Sequence, residues 1–260
     1  FLLEEGASIV EANHHTDHDS GWFFMRHEVS IDSEKSLSDI RLDFKGIAER
    51  FSMSWQITDS KQKPKTVIFA SKETHCLVDL LHRWQNHEMD GELVAIIANH
   101  KSIGAFARWH NIPFYYVDFH EQAYDSAFAQ IENILEEVKA ETLVLARFMR
   151  IFPAHLCDKY RGNLINIHHS FLPAFVGAKP YHQAHSKGVK LIGATCHYVT
   201  TELDQGPIIE QEVVRISHRD TVKDMIRKGK DCEKAALARG LRYHLQQRII
   251  LHQHKTIVFE

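Results

Sequence analysis

Apolar residues follow two different rhythms along the chain, and the change between them falls in the polar stretch DSKQKPK, residues 59–65. Before it, Ala7 to Ala12 and Trp22 to Ile31 read as strands; the second, WFFMRHEVSI, is rich in aromatic and branched residues and follows Asp19-Ser20-Gly21, a turn composition. Ser36 to Arg50 places Leu37, Ile40, Phe44 and Ile47 at helical spacing, which predicts an amphipathic helix with Ser36 or Ser38 as its N-cap. Phe51 to Thr58 then alternates Phe51, Met53, Trp55 and Ile57, the pattern of a half-buried strand, and residues 59–65 read as a linker. From Thr66 the strands TVIFAS, LVAIIAN, FYYVDF and TLVLARF alternate with the helical stretches LVDLLHRWQ, SIGAFARWHN and AFAQIENILEEVKA. Such alternation predicts a parallel sheet covered by helices, and runs such as VIFA and VAII suit strands buried on both faces. NLINIH, residues 163–168, is a further strand whose C-terminal end carries polar groups at the sheet edge, where open parallel sheets bind ligands.

Composition narrows the classes of function. The chain has 260 residues, 44% of them hydrophobic, enough for a substantial core. A formal charge of −3 argues against a mainly electrostatic grip on nucleic acid, and no apolar run approaches the roughly 18 residues of a membrane span. A small-molecule partner and a cytoplasmic location are expected. Cys76, Cys157, Cys196 and Cys232 are scattered, with no paired CxxC spacing, so reduced thiols are expected rather than disulfides or a zinc knuckle. The 20 His include adjacent pairs such as His14 and His15, which face opposite sides of a strand; without HExxH or a carboxylate-flanked cluster, no metal and no cofactor is expected.

The stretch from Asn163 to Gln211 carries candidate chemistry. Asn166 and His168 alternate onto one face of their strand, and Asp204 precedes Gln205-Gly206-Pro207. Hydrolysis of a carbonyl needs a donor where oxygen becomes negative and a group that carries a proton between nucleophile and leaving group. Asn166 and His168 supply these, and Asp204 would orient the imidazole. The residues alone leave another reading open, in which Asn166 satisfies a strand-end backbone group, His168 packs in the core and Asp204 belongs to an ordinary turn.

INIHHSFLPAFVGAKPYHQA followed by GATCHYVTTELDQGPII resembles the signature of the formyltetrahydrofolate-dependent formyl transferases and hydrolases, over roughly residues 66 to 250. The pattern Asn-x-His-x-Ser-Leu/Phe-Leu-Pro is met by Asn166, His168, Ser170, Phe171, Leu172 and Pro173, and the later His-x-Val-x-x-x-x-Asp-x-Gly-Pro by His197, Val199, Asp204, Gly206 and Pro207. The resemblance implies that Asn166, His168 and Asp204 act on the formyl carbonyl. LARFMRIF resembles the stretch lining that family's pterin pocket, which puts Leu145, Arg150, Ile151 and Phe152 on one side of the substrate and His197, Thr201 and Leu203, in the loop to Asp204, on the other.

Three features favour water over an amine as acceptor. Relatives that bind a ribonucleotide carry a Gly-rich turn after the first strand for its phosphate, whereas this chain reads ASKETHCL, with only Lys72 to offer a charge. The transferases commonly have Pro after the signature His, where this chain has His169. The strand, strand, helix, strand pattern of residues 1–58 resembles the later part of an ACT-type regulatory module, typical of the deformylase branch; its opening strand and most of its first helix are expected to precede Phe1.

The resemblance therefore implies an ACT-like α+β domain over 1–58, a linker over 59–65, and a Rossmann-like, mostly parallel α/β formyltransferase domain over 66–260. The implied reaction is hydrolysis of 10-formyltetrahydrofolate to tetrahydrofolate and formate, supplying formate for purine biosynthesis and balancing the one-carbon pool. Formyl transfer to the amine of glycinamide ribonucleotide, and a non-catalytic folate or amino-acid sensor, are the alternatives. A homo-oligomer and a small-molecule effector at the ACT-like segment are also expected.

Overall fold

The computed structural model describes residues 1–32, 35–119, 124–173 and 180–260. The stretch Ala174 to Lys179, inside the signature quoted above, lies outside the described residues. The chain divides into two compact units, Phe1–Lys63 with Phe259–Glu260, and Pro64–Val258.

In the first unit, strands β1 (Ala7–Asp17) and β2 (Trp22–Ile31) form an antiparallel pair with a bulge between Ile9 and Glu11. Gly21, at φ 72°, makes the connecting turn. Helix α1 (Leu37–Arg50) starts at a capping box in which the Ser36 side chain accepts from the Asp39 backbone and Asp39 accepts from the Ser36 backbone. The alternation after it does not make a strand: residues 51–58 carry no strand, which corrects the reading of Phe51 to Thr58. Two observations explain why. The chain leaves α1 through Ser52 at φ 50°, with Met53 N bonded back to Ala48 O, and the Ile57 carbonyl accepts from the Arg41 guanidinium rather than from a neighbouring strand. Trp55 packs edge-on against Phe44, so the apolar residues serve a helix flank rather than a ladder.

The second unit is built on a seven-stranded sheet ordered β5-β4-β3-β6-β7-β8-β9. Its members are β3 (Lys65–Ala70), β4 (Glu92–Ala98), β5 (Phe114–Tyr116), β6 (Thr142–Ala146), β7 (Leu164–His168), β8 (Leu191–Tyr198) and β9 (Ile208–Arg215). The first five are parallel, and β8 and β9 add an antiparallel edge. Lys65, expected in the linker, already belongs to β3. Alternate residues feed two cores: Ile68, Ile96, Val144 and Ile165 pack under helices α2 (His75–Gln85), α3 (Gly104–Trp109) and α7 (Val222–Leu245), whereas Val67, Ile97, Leu143 and Leu164 pack under α4 (Tyr124–Glu137) and α5 (Ala154–Lys159). This double burial is why these strands read as continuous apolar runs. Phe69, fully buried against the rings of Phe148 and Phe152, is one anchor of the second core, and burial of such a side chain contributes about 2–3 kcal/mol. Helix α6 (Pro180–Lys187) packs on α7, and β10 (Ile249–His252) with β11 (Lys255–Val258) forms a terminal hairpin. No helix among the described residues is long and apolar enough to cross a membrane.

Candidate active site

Strand register brings the first polar residues together. Asn166 on β7 lies opposite His197 on β8, and Leu145 on β6 lies beside Asn166 on the other flank. The hydrogen-bond chain fixes the protons. His197 Nδ1 is 2.8 Å from the Tyr198 carbonyl, which only accepts, so the proton sits on Nδ1 and Nε2 is bare. Asn166 Nδ2 donates to that Nε2 at 3.2 Å, which leaves the amide a second hydrogen to give. Burial holds the pKa of His197 below its ordinary value, in keeping with this neutral form.

His168 closes the strand, 7% exposed. Its Nδ1 lies 3.2 Å from Asp204 Oδ2, so Nδ1–H donates to the carboxylate and Nε2 carries a free lone pair, buried and without a hydrogen-bond partner among the described residues. The His168 hydrogen bond, more than any other influence, keeps the Asp204 carboxyl below the usual carboxylate range. Asp204 Oδ1 is also 3.8 Å from His197 Nε2, so one acid faces both imidazoles.

Local backbone puts Asp204 there. After β8 the chain turns through Glu202 and Gln205, and Asp204 takes φ 56°, a left-handed conformation that Asp tolerates better than most residues. Gly206 passes so close to the end of β8 that an added Cβ would meet the Tyr198 carbonyl oxygen at 1.7 Å. Tyr198 N bonds Pro207 O at 2.9 Å and Val199 N bonds Leu164 O at 2.8 Å, which ties the turn to β7. Beyond His168, the fully buried Thr195 hydroxyl donates to Ser170 O and accepts from Leu172 N, so the chain leaving β7 is also held.

The expected pterin-side residues divide into two groups. Leu145 and Phe152 are 5% and 6% exposed and belong to the core beside Phe69, so their side chains face apolar packing. Arg150 lies over the Phe119 ring at 5.2 Å, and the Ile151 carbonyl accepts from Tyr124 Oη while its side chain is exposed. Thr201 and Leu203 are exposed on the turn to Asp204. Asn166, His168, His197 and Asp204 are thus joined by direct contacts, while Arg150, Ile151, Thr201 and Leu203 lie on the two turns that leave β6 and β8 on either side of β7. A cavity of about 390 Å³ is lined by His75, Ile226, Lys230 and Lys234 and not by Asn166, His168 or Asp204.

Sequence reasoning missed a second polar cluster, which borders His169. Glu233, 1% exposed on α7, contacts His75, Arg147 and Tyr181. The ligand-type atoms of His75, Cys76 and Glu233 lie within 4.8 Å of one another. They suit a metal poorly: His75 Nε2 already bonds Glu233, burial pushes the Cys76 thiol well up, and Arg147 supplies the cation. The only sequence signal was a glycine inside a helical pattern, Gly229, one turn before Glu233.

Residues 64–241 match the formyl transferase family. A formyltetrahydrofolate deformylase of Bacillus subtilis (strain 168) is 41% identical over 261 residues, spanning 100% of this chain and 87% of the relative. The crystal structure of a formyltetrahydrofolate deformylase from Pseudomonas syringae pv. tomato str. DC3000 covers 100% of this chain and 87% of its own, with a TM-score of 0.97 and 53% identity. The phosphoribosylglycinamide formyltransferase from Anaplasma phagocytophilum covers 76% of this chain and 96% of its own, at a TM-score of 0.70 and 27% identity.

Proposed function

The chain belongs to the formyl transferase family and, within it, to the formyltetrahydrofolate deformylases, and we propose that it hydrolyses 10-formyltetrahydrofolate to tetrahydrofolate and formate through Asn166, His168 and Asp204. The observation that carries this reading is the bare, buried His168 Nε2, backed by Asp204 at 3.2 Å and flanked by an Asn166 amide with a hydrogen to spare. Water attacks the formyl carbon while His168 Nε2 takes its proton. The carbonyl oxygen becomes negative and is met by the Asn166 amide. The imidazolium, stabilised by Asp204, returns the proton to N10 as the C–N bond breaks, releasing formate and tetrahydrofolate.

The turns after β6 and β8 would hold the pterin through Arg150, Ile151, Thr201 and Leu203, with backbone groups and an apolar floor contributed by Leu145 and Phe152. The formate is assigned to purine biosynthesis and the reaction to the cytoplasm. Residues 1–58 are assigned to an ACT-like module with a small-molecule effector. Ile9, Val10, Trp22 and Phe23 on its hairpin are exposed, which suits pairing with a second copy in a homo-oligomer.

Purified protein incubated with 10-formyltetrahydrofolate, with and without glycinamide ribonucleotide, tests the reading. Formate release that the amine leaves unchanged is expected. Faster formyl consumption with a formylated amine as product would instead make the chain a transferase.

A further inference from the structure

The reaction as derived leaves the Glu233 cluster without a task, although it borders His169, the neighbour of the proton-transfer residue. Glu233 Oε1 accepts from Tyr181 Oη at 2.9 Å, and Oε2 accepts from His75 Nε2 at 2.8 Å and lies 3.3 Å from Arg147 Nε. Four elements therefore meet at one carboxylate: α7, α6, the first residue of α2 and the turn after β6. A buried carboxylate is costly unless paired and hydrogen-bonded, and here both of its oxygens are engaged. Burial pushes the Glu233 carboxyl up, but His75, Arg147 and Tyr181 together pull it below the usual carboxylate range, so it is held as an anion.

Two local sacrifices of the backbone serve this cluster. A Cβ on Gly229 would come to 2.0 Å from Tyr181 Oη, so the glycine in mid-helix is what lets the phenol cross α7 to reach Glu233. Mid-helix glycine is destabilising relative to alanine. Arg147 sits at φ 63°, a left-handed conformation unfavourable for a residue with a Cβ. Strain of this kind persists where surrounding contacts over-determine it. The cluster reaches the candidate site through His169: the Tyr181 ring is 6.2 Å from that of His169, and His169 is 5.2 Å from His168. Arg147 also opens the turn that carries Arg150 to Phe152.

We propose that Glu233 and Arg147 form a charge-balanced clamp that positions the end of β7 and the start of the turn after β6, so that both are positioning residues for the hydrolysis. The proposal rests on the assignment of His168 as the proton carrier. Arg147 and Glu233 act in opposite directions on His169, the ring neighbour of His168; removing one leaves the other acting on this pair across a poorly solvated interior. Among the described residues, Asp204 and His197 from the β8 side and Tyr181 from α6 also face this pair, while His75 from α2 bonds Glu233, and the clamp variants below leave all of them in place.

The test is formate release by the full chain across pH, with circular dichroism as a check on folding, for wild type, Glu233→Gln, Arg147→Gly, the double variant and His168→Ala. Glu233→Gln is isosteric, and Arg147→Gly suits the left-handed backbone. With an unbalanced cation, Glu233→Gln is expected to move the acid limb of kcat/KM down by about half a pH unit and to lower kcat about tenfold with little change in KM. Arg147→Gly, with an unbalanced anion, is expected to move the limb up, and the double variant to bring it back to within a few tenths of wild type. Singles that move the limb in the same direction, or not at all, would overturn the clamp, as would a double variant that does not return. If Glu233→Gln does not fold, an unmoved limb in Arg147→Gly overturns it alone. A wild-type rate in His168→Ala would instead defeat the proton-carrier assignment, which separates the two failures.

Discussion

Replacing Asp204 with asparagine removes one charge and almost nothing else. Asn accepts the left-handed φ of 56° as readily as Asp, and the Gly206 turn is untouched, so the backbone should survive. The carboxylate oxygen 3.2 Å from His168 Nδ1 has two tasks, to hold the Nδ1–H tautomer and to stabilise the imidazolium once His168 has taken a proton. With charge centres about 4 Å apart and an effective dielectric near 20, the second task is worth about 4 kcal/mol, or about a thousandfold in rate. An amide that turns its N–H toward Nδ1 would also place the imidazole proton on Nε2, the wrong nitrogen for a base. The expected loss in kcat is therefore about 10³- to 10⁴-fold. Because its carboxyl is held below the usual range, Asp204 stabilises the fold above about pH 4 and loses that contribution as pH falls through its folded value. At pH 7 the variant should thus melt a few degrees lower yet remain folded at 25 °C. Formate release at pH 7, with melting followed by circular dichroism, reads both effects. A folded Asp204→Asn enzyme within threefold of wild type would refute the orienting role.

Gly206→Ala forces a Cβ into the Tyr198 carbonyl and must displace the Asp204 turn; we expect at least a hundredfold loss in formate release, and an unchanged rate would contradict the placement of Asp204 by that turn. Buried His244, bonded to Thr142 Oγ1 at 3.1 Å and Tyr198 Oη at 2.9 Å, has its pKa lowered by burial from 6.5 to about 4. The unfolded chain binds that proton first, so stability should fall by about 3 kcal/mol from this group between pH 6.5 and 4. Urea titrations should give a shallower pH slope for His244→Gln, with a remainder from His169, whose pKa burial and the Arg147 guanidinium also bring to about 4; an identical slope would contradict the assignment.

The parallel half of the sheet was legible because β3, β4, β6 and β7 are buried on both faces, and double burial writes itself as uninterrupted apolar runs. Asn166 and His168 were legible as one face of a strand and Asp204 as their partner from the linear motif, but how Asp204 reaches His168 was not, because it depends on a left-handed turn after β8 and on a glycine pressed against a carbonyl. The period-two pattern of Phe51 to Thr58 misled because alternation records which side chains are sheltered, and α1 shelters Trp55 without any strand to pair with. Leu145 and Phe152 read as pocket residues in a linear motif, yet their side chains complete a core of aromatic rings. Glu233 was invisible: a lone acid in an amphipathic, charge-rich helix reads as a solvated residue, and only the three-dimensional meeting of His75, Arg147 and Tyr181 distinguishes it.

The direct measurement is the fate of the attacking oxygen. Turnover of 10-formyltetrahydrofolate in H₂¹⁸O should give formate carrying one solvent oxygen, and Asn166→Ala and His168→Ala, folded as judged by circular dichroism, should each form that product about a hundredfold or more slowly than wild type. Labelled formate appearing at the wild-type rate in both variants would contradict the claim that the carboxamide at the middle of β7 and the imidazole at its end carry the hydrolysis.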